Sequence, residues 1–185
     1  SQQRERRTFE NSSDNLEDFL KNMDLKVTIK KADNFTIPRI SQLILKTNQF
    51  NLTTKRYSLE EIQKMSQNDN FLMGCVQVED KFGDNGITAA FIVEKNGAKE
   101  WILDTFLLSC RVMGRQIEKS ILGYIIKIAK QNNVDKIIAN FIPTKKNQPI
   151  ENFLPNCGFK KENDFWSISL NHSFTVPNFI KIEEK

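Results

Sequence analysis

Hydrophobic positions change their period several times along this chain, and each change marks an element. Leu25, Val27 and Ile29 alternate with Lys26, Thr28 and Lys30, the two-residue repeat of an outer strand with one buried face. From Pro38 the repeat lengthens. Ile40, Leu43 and Ile44 share one side of a helix, Phe50 follows beyond its end, and proline suits an early helical position. Ser58 and Glu61 have capping-box spacing for a second short helix through Met65. Ahead of the first strand, Leu16–Met23 predicts a short helix with Ser12 or Ser13 near its cap.

The middle of the chain returns to the short period. Phe71–Val78 and Ile87–Glu94 read as strands, with turn chemistry in FGDNG at Phe82–Gly86. Asn96–Gly97 is a hairpin signal, and Glu100–Cys110 is the third strand of this meander. Ile117, Ile121, Ile125 and Ala129 then recur at one helical turn, predicting a helix over about Arg115–Lys130. A strand at Lys136–Phe141, a short helix opening at Asn152–Leu154, and strands at Phe165–Leu170 and Phe179–Glu183 complete the order. The fold class is therefore α/β of the α+β kind, a mixed central sheet covered by helices. A doubly wound dinucleotide fold is excluded, because strands and helices do not alternate from the start and no early GxGxxG occurs.

At 185 residues the chain is long enough for one domain that buries roughly 70% of its extended surface. Residues 1–23 are expected to be a linker and N-terminal extension, and 24–185 the domain. The polar opening SQQRERRTFENSSDN lacks a starting Met and reads as the edge of a longer polypeptide. Net charge is +4, from 27 basic and 23 acidic residues without a basic tract or zinc-finger spacing, which argues against a nucleic-acid module. Cys75, Cys110 and Cys157 are odd in number and form no CxxC, there is one histidine, and no secretion signal is present. A cytoplasmic protein without a metal site is expected. Apolar runs fall far short of the roughly 20 residues of a membrane span, so no membrane partner is expected.

The densest chemistry lies in WILDTFLLSCRVMGRQIEKSILG, Trp101–Gly123, where strand periodicity passes to helix periodicity across a few residues. The first amides of a helix lack partners within it, and its dipole adds positive potential there. Arg111 and Arg115 flank Gly114 at that point, which outlines a seat for phosphate or pyrophosphate. An ordinary solvated turn has the same composition, so both readings stand. Alternation also puts Asp104, Phe106, Leu108 and Cys110 on one strand face.

RISQLILKTNQFNLTTKRYS, DKFGDNG, WILDTFLLSCRVMGRQIE and FIPTKKNQPIENFLPNCGF occur in that order over most of residues 39–159. Together they resemble the C-terminal acyltransferase-like domain of FkbH-like proteins. The resemblance implies a GCN5-related acyltransferase fold and transfer of a glyceryl or similar short acyl unit to the phosphopantetheine thiol of an acyl carrier protein. That chemistry serves methoxymalonyl extender units in polyketide biosynthesis. It implies an upstream haloacid-dehalogenase-like phosphatase domain, whose early aspartyl motif this chain does not contain. The phosphopantetheine arm, or coenzyme A, would meet Arg111, Val112, Met113, Gly114, Arg115 and Gln116. Gln116 stands where the broader fold has a small residue, which weighs against free acetyl-coenzyme A. Direct acyl-coenzyme A-dependent N- or O-acyl transfer, and a non-catalytic carrier-docking domain, are the alternatives.

Cys110 is the candidate nucleophile, and the resemblance makes it a carrier of the glyceryl thioester; a small buried hydrophobe at a strand end is the other reading. Asp104 is a candidate for orienting substrate, or else half of an ion pair. Asn48, Asn51 and Thr54 are candidates for contacting the acyl unit, although such residues also form ordinary turns. Lys145 and Asn147 are candidates for contacting the arm, and Phe153 for covering the cleft. Asp80, Asp84 and Asn85 fit a turn better than a cation site, and His172 is a poor general base.

Overall fold

The computed structural model describes residues 1–12, with Ser12 through its backbone alone, and 15–185. Two N-terminal helices, α1 (Gln2–Ser12) and α2 (Leu16–Lys21), lead into strand β1 (Lys26–Lys31). Helix α3 (Ile37–Lys46), a two-residue strand β2 (Phe50–Asn51) and helix α4 (Leu59–Ser66) follow. The meander is β3 (Phe71–Asp80), β4 (Gly83–Asn96) and β5 (Glu100–Leu108). After it come α5 (Ile117–Gln131), β6 (Lys136–Ala139), α6 (Phe153–Asn156), β7 (Lys160–Glu162), β8 (Phe165–Ser169) and β9 (Lys181–Glu184).

These strands form one mixed sheet in the order β7-β8-β6-β5-β4-β3-β1-β9, with β2 paired to β5 outside that path. Two apolar layers cover it. On one side α3 and α4 bury Ile40, Ile44 and Ile62 against Ile92 and Leu107. On the other, α5 lays Ile117, Ile121 and Ile125 over Val27, Phe91, Leu103 and Phe106. The capping box at α4 is present: Ser58 Oγ accepts from the Glu61 amide, and the Glu61 carboxylate accepts from the Ser58 amide.

Several expectations from periodicity are corrected. The opening residues form α1, whose polar composition hides a docking face. Its Phe9 packs 5.6 Å from Phe19 and 5.8 Å from Phe82 between ring centroids. Phe19, Leu20 and Met23, within the expected extension, are buried in the main core. The cap of α2 is Asn15, which accepts from the Asp18 amide at 2.8 Å, while Ser12 ends α1 and Ser13 lies outside the described residues. β1 is flanked on both sides, antiparallel to β3 and parallel to β9, rather than outermost. FGDNG opens β4 rather than forming the turn, because Asp80 accepts from the Phe82 amide and closes the bend two residues earlier. β7 completes a hairpin with β8 that charged, exposed residues had concealed.

Gly74 in β3 is fixed by a close approach. A Cβ there would lie 2.4 Å from Phe91 Cζ and 2.9 Å from the Lys30 carbonyl oxygen. Gly74→Ala is expected to destabilise the fold by about 1–3 kcal/mol through overpacking. Chemical denaturation measures this, and an unchanged midpoint would show that Phe91 moves aside freely.

Candidate active site at the parting of two strands

β5 and β6 run parallel from Glu100↔Lys136 to Leu103↔Ala139, and then separate. At the point of separation β5 carries one residue more than β4: Ile92 faces Thr105 and Val93 faces Leu103, leaving Asp104 as a bulge. The bulge breaks the expected alternation. Phe106 and Leu108 join the α5-side core, whereas Asp104 and Thr105 turn to the other face, where Thr105 Oγ1 meets Asp104 Oδ2 at 2.9 Å. Asp104 is buried and also accepts from Lys55 Nζ at 2.5 Å and Tyr57 OH at 2.8 Å. Burial first, and the Asp104 hydrogen bond second, push the Tyr57 pKa well above its ordinary value.

The gap beyond Leu103 is filled by the chain itself. Phe50 and Asn51 pair with Leu108 and Leu107, and the Leu52 amide donates to the Phe106 carbonyl at 3.3 Å. On the far side, the Ile142 amide donates to the Leu52 carbonyl at 2.9 Å. Asn147, fully buried, ties these pieces together. Its Nδ2 donates to the carbonyls of Asn51 at 3.0 Å and Ile142 at 2.9 Å, and its Oδ1 accepts from the Thr144 amide at 2.7 Å. Asn51 bonds within its own loop, donating to the Thr47 carbonyl and accepting from the Thr54 amide. Phe50, Phe106 and Phe153 form an aromatic trio with centroids 5.2 to 6.1 Å apart. The wedge ends at Thr54, a β-branched residue in the left-handed region at φ 54°, whose buried hydroxyl has no partner. The conformation costs about 1–2 kcal/mol, and the orphan hydroxyl about 1–3 kcal/mol.

Two cavities flank this wedge. One, of 300 Å³, lies on the α3 side and is lined by Arg39, Lys46, Asn48, Gln49, Ser109 and Cys110. Cys110 is exposed, whereas Cys75 and Cys157 are buried, with burial pushing their thiols up to about 11. No acidic residue lines this cavity among those described, and burial, then neighbouring Arg111, lower the Arg39 pKa. The other cavity, of 450 Å³, lies on the α5 side, lined by Phe50, Phe153, Glu118, Lys119, Asn152 and Asn156 among others. Burial raises the Glu118 pKa, and one of its carboxyl oxygens is unpartnered.

The loop from Cys110 to Gln116 divides its predicted roles. Arg111 is exposed, Val112 is buried in the core and Met113 packs against that core. Gly114 and Gln116 both have positive φ, 77° and 60°, so Gln116 occupies a backbone region that favours glycine. Arg115 is committed elsewhere. Its Nη1 lies 3.0 Å from Asp80, whose carboxylate is fully enclosed and also grips Arg6 of α1 through Nε at 2.8 Å and Nη2 at 3.0 Å. Asn85 and the Phe82 amide complete that cluster, and Asp84 closes on Gln77 and the Gly86 amide. Lys145 is exposed on the loop that Asn147 closes, and His172 is exposed, its carbonyl accepting from Lys130. Sequence reasoning missed Arg39, Lys46, Lys55, Tyr57 and Glu118. Arg39, Lys46, Lys55 and Tyr57 all lie in RISQLILKTNQFNLTTKRYS, and Glu118 ends WILDTFLLSCRVMGRQIE, but none was picked out individually.

Among the described residues no group of three or more His, Cys, Asp and Glu side chains comes together to hold a metal, and no helix is long and apolar enough to cross a membrane. No family model matches the sequence, and no curated protein matches it. Solved structures do match the fold. A spermidine N-acetyltransferase from Vibrio cholerae, solved with CoA and spermine, superposes with a TM-score of 0.60 at 12% identity, over 78% of this chain and 95% of that one. A GNAT-family acetyltransferase from Staphylococcus aureus gives 0.59 at 16% identity, over 78% and 99%. A domain from Methanocaldococcus jannaschii gives 0.60 at 14%, over 78% and 99%. The fold is that of the GCN5-related N-acetyltransferases, or GNAT fold.

The Asp80 cluster generates a prediction within this GNAT fold. Burial alone would raise the Asp80 pKa; the bonds from Arg6, the Phe82 amide and Asn85 outweigh it and hold the carboxyl below its ordinary 3.8. Between the two values the unfolded chain binds the proton that the folded chain refuses, so stability is full above 3.8 and falls with further acidification. Asp80→Asn is expected to cost about 3–5 kcal/mol at neutral pH by stranding two buried guanidinium groups. Urea titrations from pH 7 to pH 3 measure both, and a variant as stable as the parent at pH 7 would refute the assignment.

Proposed function

We propose that this chain is an acyltransferase whose donor is an acyl thioester on a pantetheine arm, with Cys110 receiving the acyl group first. The observation that carries this reading is the exposed Cys110 thiol in an acid-free cavity bordered by Arg39 and Lys46, within a GNAT fold. In that step Cys110 gives its proton to solvent and its sulfur attacks the thioester carbonyl. Arg39 and Lys46 favour the negative charge that gathers on the carbonyl oxygen. The carbon–sulfur bond to the arm breaks, the departing thiolate takes up a proton, and the acyl group is left on Cys110. An amine, hydroxyl or thiol acceptor then repeats the exchange and restores the free cysteine.

The finer proposal is a glyceryl or similar short unit, passed to the phosphopantetheine thiol of an acyl carrier protein, with an upstream haloacid-dehalogenase-like phosphatase as partner. The four sequence segments that resemble FkbH-like domains support it. Direct transfer from acyl-coenzyme A to an amine or hydroxyl is the second reading, favoured by likeness to acetyltransferases that include one solved with CoA. In that reading Asp104 and Tyr57, hydrogen-bonded to each other at the bulge, would handle the acceptor proton.

Incubation with acetyl-coenzyme A and with a glyceryl-pantetheine thioester, followed by intact-mass and peptide mapping, separates these readings. The expected result is one acyl adduct on Cys110, lost in Cys110→Ala together with transfer. His172→Ala is expected to keep the adduct and the turnover. Full transfer by Cys110→Ala would remove the covalent step and leave the direct route standing.

A further inference from the structure

Positive charge around the α3-side cavity exceeds what one transient oxyanion needs. Arg39 and Lys46 both line it and stand two helical turns apart on α3, about 10 Å along the axis. Arg56 grips its wall, donating to Asn48 Oδ1, to the Ile44 carbonyl and to the Thr47 carbonyl at 3.0 Å. Arg111 follows Cys110, and after burial its charge is what lowers the Arg39 pKa. The guanidinium partners here are neutral. Arg39 donates through Nε to the Ile87 carbonyl at 3.1 Å and through Nη1 to Gln42, and spends its Nη2 donors on neither bond. The C-terminal end of α3 opposes this field with only about half an elementary charge, less than Lys46 and Arg56 bring to it. Among the described residues no carboxylate lines the cavity. Like charges gathered without a counterion leave a place for an anion from outside.

Resting on the acyltransferase reading, we propose that this cavity selects its acyl unit by charge: the unit carried on Cys110 bears an anionic group of its own, as a succinyl unit does, held by Arg39 and Lys46. Cys110 and Ser109 form part of the cavity lining, so an acyl group on the thiol lies among the cations. Size permits it. A cavity of 150 Å³ holds a benzene ring, so 300 Å³ accommodates about a dozen non-hydrogen atoms, more than a four-carbon diacid needs. Two cations two turns apart can serve two oxygens, the carbonyl under attack and a distal carboxylate. Oxyanion stabilisation is common to every acyl unit, whereas the permanent field acts only on a unit with its own charge. A neutral glyceryl unit gains from the amides of Gln42, Asn48 and Gln49 alone, and a cationic unit is repelled.

The test holds the arm constant and varies the acyl end. The full chain is incubated with succinyl-, butyryl- and β-alanyl-coenzyme A, whose acyl ends are negative, neutral and positive, and the Cys110 adduct is followed by intact mass. Rates are expected to fall in that order, with succinyl about tenfold ahead of butyryl. Arg39→Gln and Lys46→Gln should slow all three and also pull the succinyl-to-butyryl ratio towards one; a purely oxyanion role would slow all three and keep the ratio. Alkylation gives a reading that needs no acyl transfer. Relative to a neutral model thiol, Cys110 is expected to favour iodoacetate over iodoacetamide by about tenfold, and Lys46→Gln to reduce that preference. Adducts forming on Cys110 equally fast from succinyl and butyryl thioesters overturn the selection and leave the transferase standing. An alkylation preference equal to that of the model thiol also overturns it. No adduct from any thioester removes the covalent reading and the selection together. Arg39 also holds the Ile87 carbonyl, so if Arg39→Gln fails to fold, Lys46→Gln, at an exposed position, decides the matter alone.

Discussion

Main-chain groups left without partners dictate the centre of this molecule. Two parallel strands that part company expose a row of N–H and C=O groups inside the protein, where each lost hydrogen bond is costly. β5 and β6 part after Leu103 and Ala139, and the chain satisfies the opening with its own segment, from Phe50 to Leu52 on one edge and Ile142 on the other. From that demand follow the buried side-chain amide of Asn147, the aromatic trio that seals the apolar flank, and the strained turn at Thr54. The α3–α4 connection is thereby built into the sheet instead of lying on its surface.

Charge is distributed by the same logic of satisfaction. Asp80 is fully enclosed and answered by two arginines, an asparagine and a main-chain amide, which fastens α1 and the loop before α5 to the β3–β4 hairpin. Arg115 is therefore structural in this arrangement, and its Nη2 also holds the Arg111 carbonyl, setting the course of the loop that follows Cys110. Arg39 and Lys46 stand differently, lining the cavity of the exposed thiol, with Arg39 donating to the Ile87 carbonyl at 3.1 Å and to Gln42 rather than to a carboxylate. One set of cations builds the loop; the other faces the cavity.

What was legible in the sequence was local. The alternation in β1, the helical repeat of α5 and the Ser58–Glu61 box each depend on residues within one or two turns, and their elements are present. What was not legible depends on distance. Asp104 looked like one step in an alternating strand because a bulge is decided by pairing with β4, not by its own neighbours. Asn147 and Asn51, 96 positions apart, meet through a main-chain carbonyl, which leaves no side-chain signature. The polar helix α1 escaped notice because its anchors are one arginine and one phenylalanine, and the arginine's partner lies 74 residues away. Cys110 and the following turn were identifiable, since a strand-to-helix change over so few residues constrains its own surroundings; Arg39 and Lys46 belong to a helix whose polar face looked like ordinary surface.

The two sides of the wedge also differ in chemistry, and that difference bears on direction. The α5-side cavity is walled by Phe50 and Phe153 and carries Glu118, a carboxyl whose burial favours its neutral form. The α3-side cavity is cationic. Two cations beside an exposed thiol favour negative charge on an attacked carbonyl in the second, whereas the first sets its one cation, Lys119, next to Glu118. The asymmetry comes from residues far apart in the chain, Arg39 and Lys46 on α3 and Glu118 on α5, held on opposite faces by the strand that divides them.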